Sequence, residues 1–128
     1  MGAGQSDLYK GTYGDNIKNI PSVLKGKIRF PDNDSQIKHI FRNEKGHLTY
    51  SEDNKQKLLA LANDPRYYIG TDERGIEWSR KILEDGTELW VSSRNGIIQN
   101  GGINNPPHMW NERTGLSFNI YNRERKRK

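Results

Sequence analysis

Apolar residues recur at helical spacing in the first half of the chain and at strand spacing, punctuated by turn dipeptides, in the second. Asp34 or Ser35 offers a side-chain oxygen to the free N–H groups of a first helical turn, and Ile37, Ile40 and Phe41 then fall on one face with His39 and Arg42 beside it. A second helix is predicted to start near Ser51, an N-cap residue followed by Glu52 and Asp53, and to run through Leu58, Leu59, Leu61 and Ala62. Asn63-Asp64-Pro65 ends it. Before these helices, residues 1–20 show no sustained period and read as a loosely ordered arm. Val23, Leu24, Ile28 and Phe30 suggest a short extended or turn segment entering the core.

After Pro65 the period changes. Tyr67–Thr71, Glu77–Leu83, Glu88–Arg94 and Ile97–Ile103 are short runs separated by Asp72-Glu73-Arg74-Gly75, Asp85-Gly86 and Asn95-Gly96. Asp-Gly and Asn-Gly favour tight hairpins because the central residues of those turns need positive φ, so the pattern predicts an antiparallel meander. With two-residue loops at both dipeptides, Leu89 faces Ile82 and Val91 faces Asn100. Trp78, Ile82, Leu89, Val91 and Ile98 then gather under the helices, and Ser79, Lys81, Trp90, Ser92, Arg94 and Gln99 occupy the other face. Gly101-Gly102 inside a strand marks a bulge or a close backbone approach to a ligand. The prolines at 106 and 107 make residues 104–111 a loop. Thr114-Gly115 then turns the chain into a last edge strand carrying Leu116, Phe118, Ile120 and Tyr121.

The expected fold class is α+β, with N-terminal helices packed on one face of a four- to five-stranded antiparallel sheet. A chain of 128 residues fits one domain. We place it at residues 21–121, preceded by the arm and followed by a basic tail at 122–128. Only 31% of residues are apolar and the mean hydropathy is −1.03, which suffices for one compact core. There is no cysteine, which excludes disulfides, thiolate metal sites and a cysteine nucleophile. No apolar run reaches the ~20 residues of a membrane-spanning helix. The small residues of Met1–Ser6 read as a linker or fusion scar, as expected of a domain cut from a longer protein. The net charge of +5 is concentrated in Arg123, Arg125, Lys126, Arg127 and Lys128, which can attract a polyanion without reading its sequence.

The histidines at 39, 47 and 108 are the proton carriers available near neutral pH. Cleaving RNA without a metal requires a base for the 2′-hydroxyl, an acid for the leaving 5′-oxygen and a fixed cation for the phosphorane. His39 and Arg42, three apart on the predicted helix, can address one phosphate, and His47 follows Gly46 in a loop able to fold over them. Arginine suits the cationic role because it stays charged and its donor fork matches phosphate. The cationic and aromatic sheet face suits a phosphodiester with a stacked base. Catalytic candidates are therefore His39, His47, Arg42 and Arg94, and substrate-binding candidates include Lys81, Trp90 and Ser92. Neither His-Glu-x-x-His nor a cysteine-based metal spacing is present, and no cofactor is called for. A metal-dependent DNase of the His-Asn-His type, using His39, Asn43 and His47, stays open as an alternative, as does a nonenzymatic nucleic-acid-binding domain.

Several segments carry a resemblance: Lys38-His39-Ile40-Phe41-Arg42, Gly46-His47-Leu48, Gly70-Thr71-Asp72, Asp85-Gly86-Thr87 with Trp90-Val91, Arg94-Asn95-Gly96, and Asn100-Gly101-Gly102 with Asn104. Together they resemble a toxin domain at the C-termini of bacterial polymorphic toxins, including contact-dependent growth inhibition proteins. More distantly they are similar to the colicin D class of anticodon-cleaving tRNases. The resemblance implies a ribonuclease of the barnase, EndoU and colicin type that is delivered as part of a larger secreted or cell-surface toxin. It would act on tRNA in the target-cell cytoplasm, as a monomer apart from its complex with a cognate immunity protein. It also implies a histidine near the helical segment, His39 or His47, acting with Lys38 and Arg42 and with polar residues of the later strands, here Asn100 and Asn104.

Overall fold

The computed structural model describes residues 21–117. The expected arm at 1–20, the tail at 122–128 and the positions of Phe118, Ile120 and Tyr121 lie outside the described residues. The chain enters through a 3-10 helix, Ser22–Lys25, whose first N–H groups (Ser22 and Val23) donate to the Glu77 carboxylate, both at 3.0 Å. Arg29 then forms a parallel bridge to Ile97 and lies along the outer edge of the sheet. Helix α1 (Asp34–Ile40) is capped by Asn33, whose Oδ1 accepts from the N–H groups of Ser35 and Gln36. The cap thus stands one or two residues before the Asp34 or Ser35 expected, because Asn33 keeps extended backbone angles while Asp34 is already helical. Helix α2 (Glu52–Ala62) starts at the expected cap, Ser51, whose hydroxyl accepts from Asn54 N–H.

The strands β1 (Tyr68–Thr71), β2 (Glu77–Ile82), β3 (Glu88–Arg94) and β4 (Ile97–Asn104) form an antiparallel meander in chain order. Strands β5 (Met109–Asn111) and β6 (Gly115–Ser117) pair in a separate two-stranded sheet. The molecule is α+β, with the last strand in a hairpin of its own rather than at the edge of the main sheet. Part of the 104–111 segment expected to be loop is therefore strand, its prolines lying before β5.

Asn95-Gly96 is the expected two-residue hairpin: Arg94 pairs with Ile97, and φ is 54° at Asn95 and 81° at Gly96. The Asp85-Gly86 turn differs. Leu83 and Thr87 close a three-residue loop in which Gly86, at φ 86°, sits in the left-handed region. The extra residue puts Leu89 opposite Lys81 instead of Ile82. Since side chains alternate along a strand, Trp78 and Ile82 move to the face opposite Leu89 and Val91, while Ser79 and Lys81 move to the helix-covered face. A bulge at Gln99 displaces β4 as well, so Val91 faces Gly101 and Ser92 faces Asn100.

On the helix-covered face, Leu89, Val91 and Ile98 pack with Leu58, Leu61 and Ala62 of α2 and with Ile40, Phe41, Val23 and Ile28. Gly101 is required there: a β-carbon would stand 2.7 Å from Leu58 Cδ1. Asn63 ties this layer to the entering segment, accepting from Ile28 N–H at 2.7 Å and donating to Ile28 C=O at 2.9 Å. The other face presents cross-strand rows read from the register: Trp78, Ser92, Asn100; Arg80, Trp90, Gly102; Ile82, Glu88, Asn104. The loop between α1 and α2 lies directly on it, because a β-carbon on Gly102 would collide with Gly46 C=O and His47 Cα. Both glycines thus serve close approach of the chain to itself, rather than of a ligand.

Candidate active site

Arg42, just past the end of α1, lies between two histidines. Its Nη1 donates to His39 Nδ1 at 2.9 Å and to His39 C=O at 2.7 Å, and its Nη2 donates to His47 Nε2 at 2.9 Å. Arginine can only donate, so both ring nitrogens act as acceptors. His47 Nδ1 reaches Ile40 C=O at 3.3 Å, which fixes the proton on Nδ1 and leaves Nε2 as the basic nitrogen. Burial lowers the His47 pKa below its ordinary 6.5, and the adjacent Arg42 charge lowers it further, so the ring is neutral at pH 7. Arg42 Nε is held by Glu44 Oε1 at 3.1 Å.

Two concavities flank this arrangement. One, of about 410 Å³, is lined by His47, Trp78, Trp90, Asn104, His108 and Lys45 among others. The second, of about 390 Å³, is lined by His39, Ser92, Asn100, Arg74 and again Trp78. The Trp78 and Trp90 rings stack with centroids 5.7 Å apart, and the His47 ring meets Trp90 edge-on at 6.0 Å. Trp78 Nε1 donates to Asp72 and Trp90 Nε1 to Gly46 C=O, so each indole has a fixed orientation.

Beneath them lies a polar cluster. Glu88 is 0% exposed; its Oε2 accepts from Arg80 Nη1 at 2.8 Å, and its Oε1 accepts from Asn104 Nδ2 at 2.9 Å and from His108 N–H at 3.0 Å. Arg80 Nη1 also donates to His108 C=O at 2.8 Å. One ion pair thereby holds both the end of β4 and the backbone of the following loop. Burial lowers the His108 pKa, against an opposing pull from Glu88 and with a smaller lowering from Lys45.

Of the predicted site residues, His39, Arg42 and His47 come together, and Trp90, Ser92, Asn100 and Asn104 line the two concavities. Others do not join them. Lys81 lies on the helix-covered face, its Nζ 5.4 Å from the Tyr67 ring centroid. Arg94 is exposed beside the Asn95-Gly96 turn, and Lys38 is exposed on α1. Sequence reasoning missed Trp78, assigned to the core, and the Arg80, Glu88 and His108 cluster. The signal in the sequence was partial: Glu88 alternates with Trp90 on one face, but Arg80 stands diagonally across from it only in the register set by the three-residue loop at Asp85-Gly86. No group of three or more His, Asp and Glu among the described residues is arranged to hold a metal ion. None of the described helices is long and apolar enough to cross a membrane.

The chain matches no protein-family model, no curated protein and no solved structure.

Proposed function

We propose that this chain is a metal-independent endoribonuclease, the toxic domain of a larger secreted or cell-surface protein, which cleaves tRNA in the cytoplasm of a target bacterium. A cognate immunity protein with an acidic surface would silence it by covering the same basic and aromatic face. The observation that carries this reading is one guanidinium bonded to two imidazoles, each of which lines a concavity.

Arg42 engages two neutral acceptors in the free protein. A phosphodiester is a stronger, charge-assisted acceptor for the same fork, so its arrival draws Arg42 away and releases His39 Nδ1 and His47 Nε2 for proton transfer. Neutral His47 takes the 2′-hydroxyl proton at Nε2, and the oxygen's electron pair forms the bond from O2′ to phosphorus. The bond from phosphorus to O5′ breaks, and the departing oxygen receives a proton from His39 Nδ1, which binds that proton from solvent once Arg42 has moved to the phosphate. Arg42 stabilises the charge on the phosphorane between these events. The products are a 2′,3′-cyclic phosphate and a 5′-hydroxyl, and one proton is taken up as one is given.

The test is incubation of the protein with total bacterial RNA in EDTA, beside a His47→Ala copy and a substrate bearing 2′-deoxyribose. The parent should yield discrete tRNA fragments. His47→Ala should cut ~10²–10⁴-fold more slowly, the usual contribution of a general base, and the deoxy substrate should stay intact. Cleavage that appears only on adding Mg²⁺, or that includes the deoxy substrate, would overturn the reading in favour of a metal nuclease. Binding to RNA and DNA alike without cleavage would overturn it in favour of a nonenzymatic binder.

A further inference from the structure

We infer that the concavity between the Trp78–Trp90 pair and the loop after β4 is a binding pocket for one nucleobase, with Asn104 reading that base's N–H edge. It rests on the ribonuclease reading for its place in the reaction, but its geometry stands independently of cleavage.

The pocket is large enough for a base with its sugar, at about 410 Å³, and its lining offers indole and imidazole surface from Trp78, Trp90, His47 and His108. Flat π surfaces of this kind receive bases regardless of identity, so stacking supplies affinity. Discrimination needs a fixed polar group, and Asn104 provides it. Its Nδ2 is committed to Glu88 Oε1, which settles the orientation of the amide and leaves Oδ1 as the acceptor. Among the described residues Oδ1 accepts no hydrogen bond, although every buried side-chain N or O atom has a partner, so this oxygen retains contact with the pocket it lines. The buried Glu88 and Arg80 pair, which also grips the His108 backbone from both sides, explains itself as the frame that keeps Asn104 and His108 in place. Holding an acceptor rigidly costs the fold a buried charge and gains selectivity, since a base lacking an N–H at that position would leave the oxygen unpaired. His47 lines the pocket while its Nε2 meets Arg42, so a base seated here belongs to a nucleotide adjoining the phosphate that Arg42 receives.

The experiment is titration of the whole chain with each of the four nucleoside 3′-monophosphates, and separately with inorganic phosphate, while following the indole N–H and imidazole resonances by NMR. Nucleotides should shift the Trp90 and His108 signals, the four affinities should span at least about tenfold, and inorganic phosphate should move His47 but leave Trp90 and His108 unchanged. Asn104→Ser should level the affinities while Trp90→Phe keeps their order and weakens all four. Equal affinities in the parent, or phosphate reproducing the nucleotide shifts, would overturn the pocket even in a protein that cleaves RNA. Selective base binding by a protein that cuts no RNA would uphold the pocket and remove the ribonuclease reading.

Discussion

The two faces of the main sheet are built on different physics. The helix-covered face is mostly hydrocarbon, Ser79 and Lys81 apart: Leu58, Leu61, Val91 and Ile98 are nearly or wholly excluded from water, and their contacts are non-directional. The opposite face also buries its side chains, but these are Trp78, Trp90, Ser92, Glu88 and Asn104. Each indole N–H and each buried carboxylate oxygen there has a named partner. Apolar packing tolerates small displacements, whereas hydrogen-bonded burial specifies positions, so the face that stabilises the protein and the face that places its chemistry are separable.

Truncating Leu58, which is 0% exposed, gives the largest expected effect on stability, a loss of about 2–5 kcal/mol from lost transfer energy and the cavity left behind. Urea denaturation measures it, and cleavage per folded molecule should stay at the parental rate. If cleavage fell in step with stability, the two faces would not be separable. Glu88→Ala should cost about 3 kcal/mol, short of the upper end of the Leu58 range and at the low end for a broken buried pair, because the Arg80 side chain keeps 33% exposure. It should nevertheless abolish base selectivity, since Asn104 Nδ2 and His108 N–H both lose their acceptor. Selectivity surviving in Glu88→Ala would show that apolar contacts alone position this face.

The smallest effect is set by pH. The folded-state pKa values of His47 and His108 both lie below 6.5, chiefly through burial. Between those values and 6.5 the unfolded chain binds more protons, so the stability from neutral histidines is complete above pH 6.5 and declines as pH falls below it. Denaturation midpoints from pH 7.5 to 5 should show this decline. His108→Gln should flatten it, and Leu58→Ala should leave its slope unchanged. On the proposed ribonuclease reading, the same titration of His47 would put the acidic limb of a cleavage profile below pH 6.5, which initial rates across pH 5 to 7.5 check.

Local chemistry was enough to read the Ser51 cap, the Asn95-Gly96 turn and the meander; His39 and Arg42 also meet, but not as neighbours on one helix, because α1 ends at Ile40 and Phe41 is already extended. Two features escaped that reasoning for a common reason. The loop at Asp85-Gly86 and the bulge at Gln99 each add one residue, and a shift of one residue exchanges every side chain between faces. Trp78 thereby left the expected core and Lys81 left the expected binding face.

The sequence by itself determined the two α-helices, the four strands of the main sheet in their order and the residue types available for proton transfer, but not the separate β5-β6 hairpin. Only the tertiary structure decided which of those residues meet. Arg42 joins His39 to His47 because the loop after α1 folds back onto a strand made narrow by Gly102, and Glu88 meets Asn104 across the β3–β4 pairing and His108 because the loop after β4 returns over that pair. Such contacts depend on register, which is fixed by how the hydrocarbon face packs beneath the helices, and no local pattern encodes that.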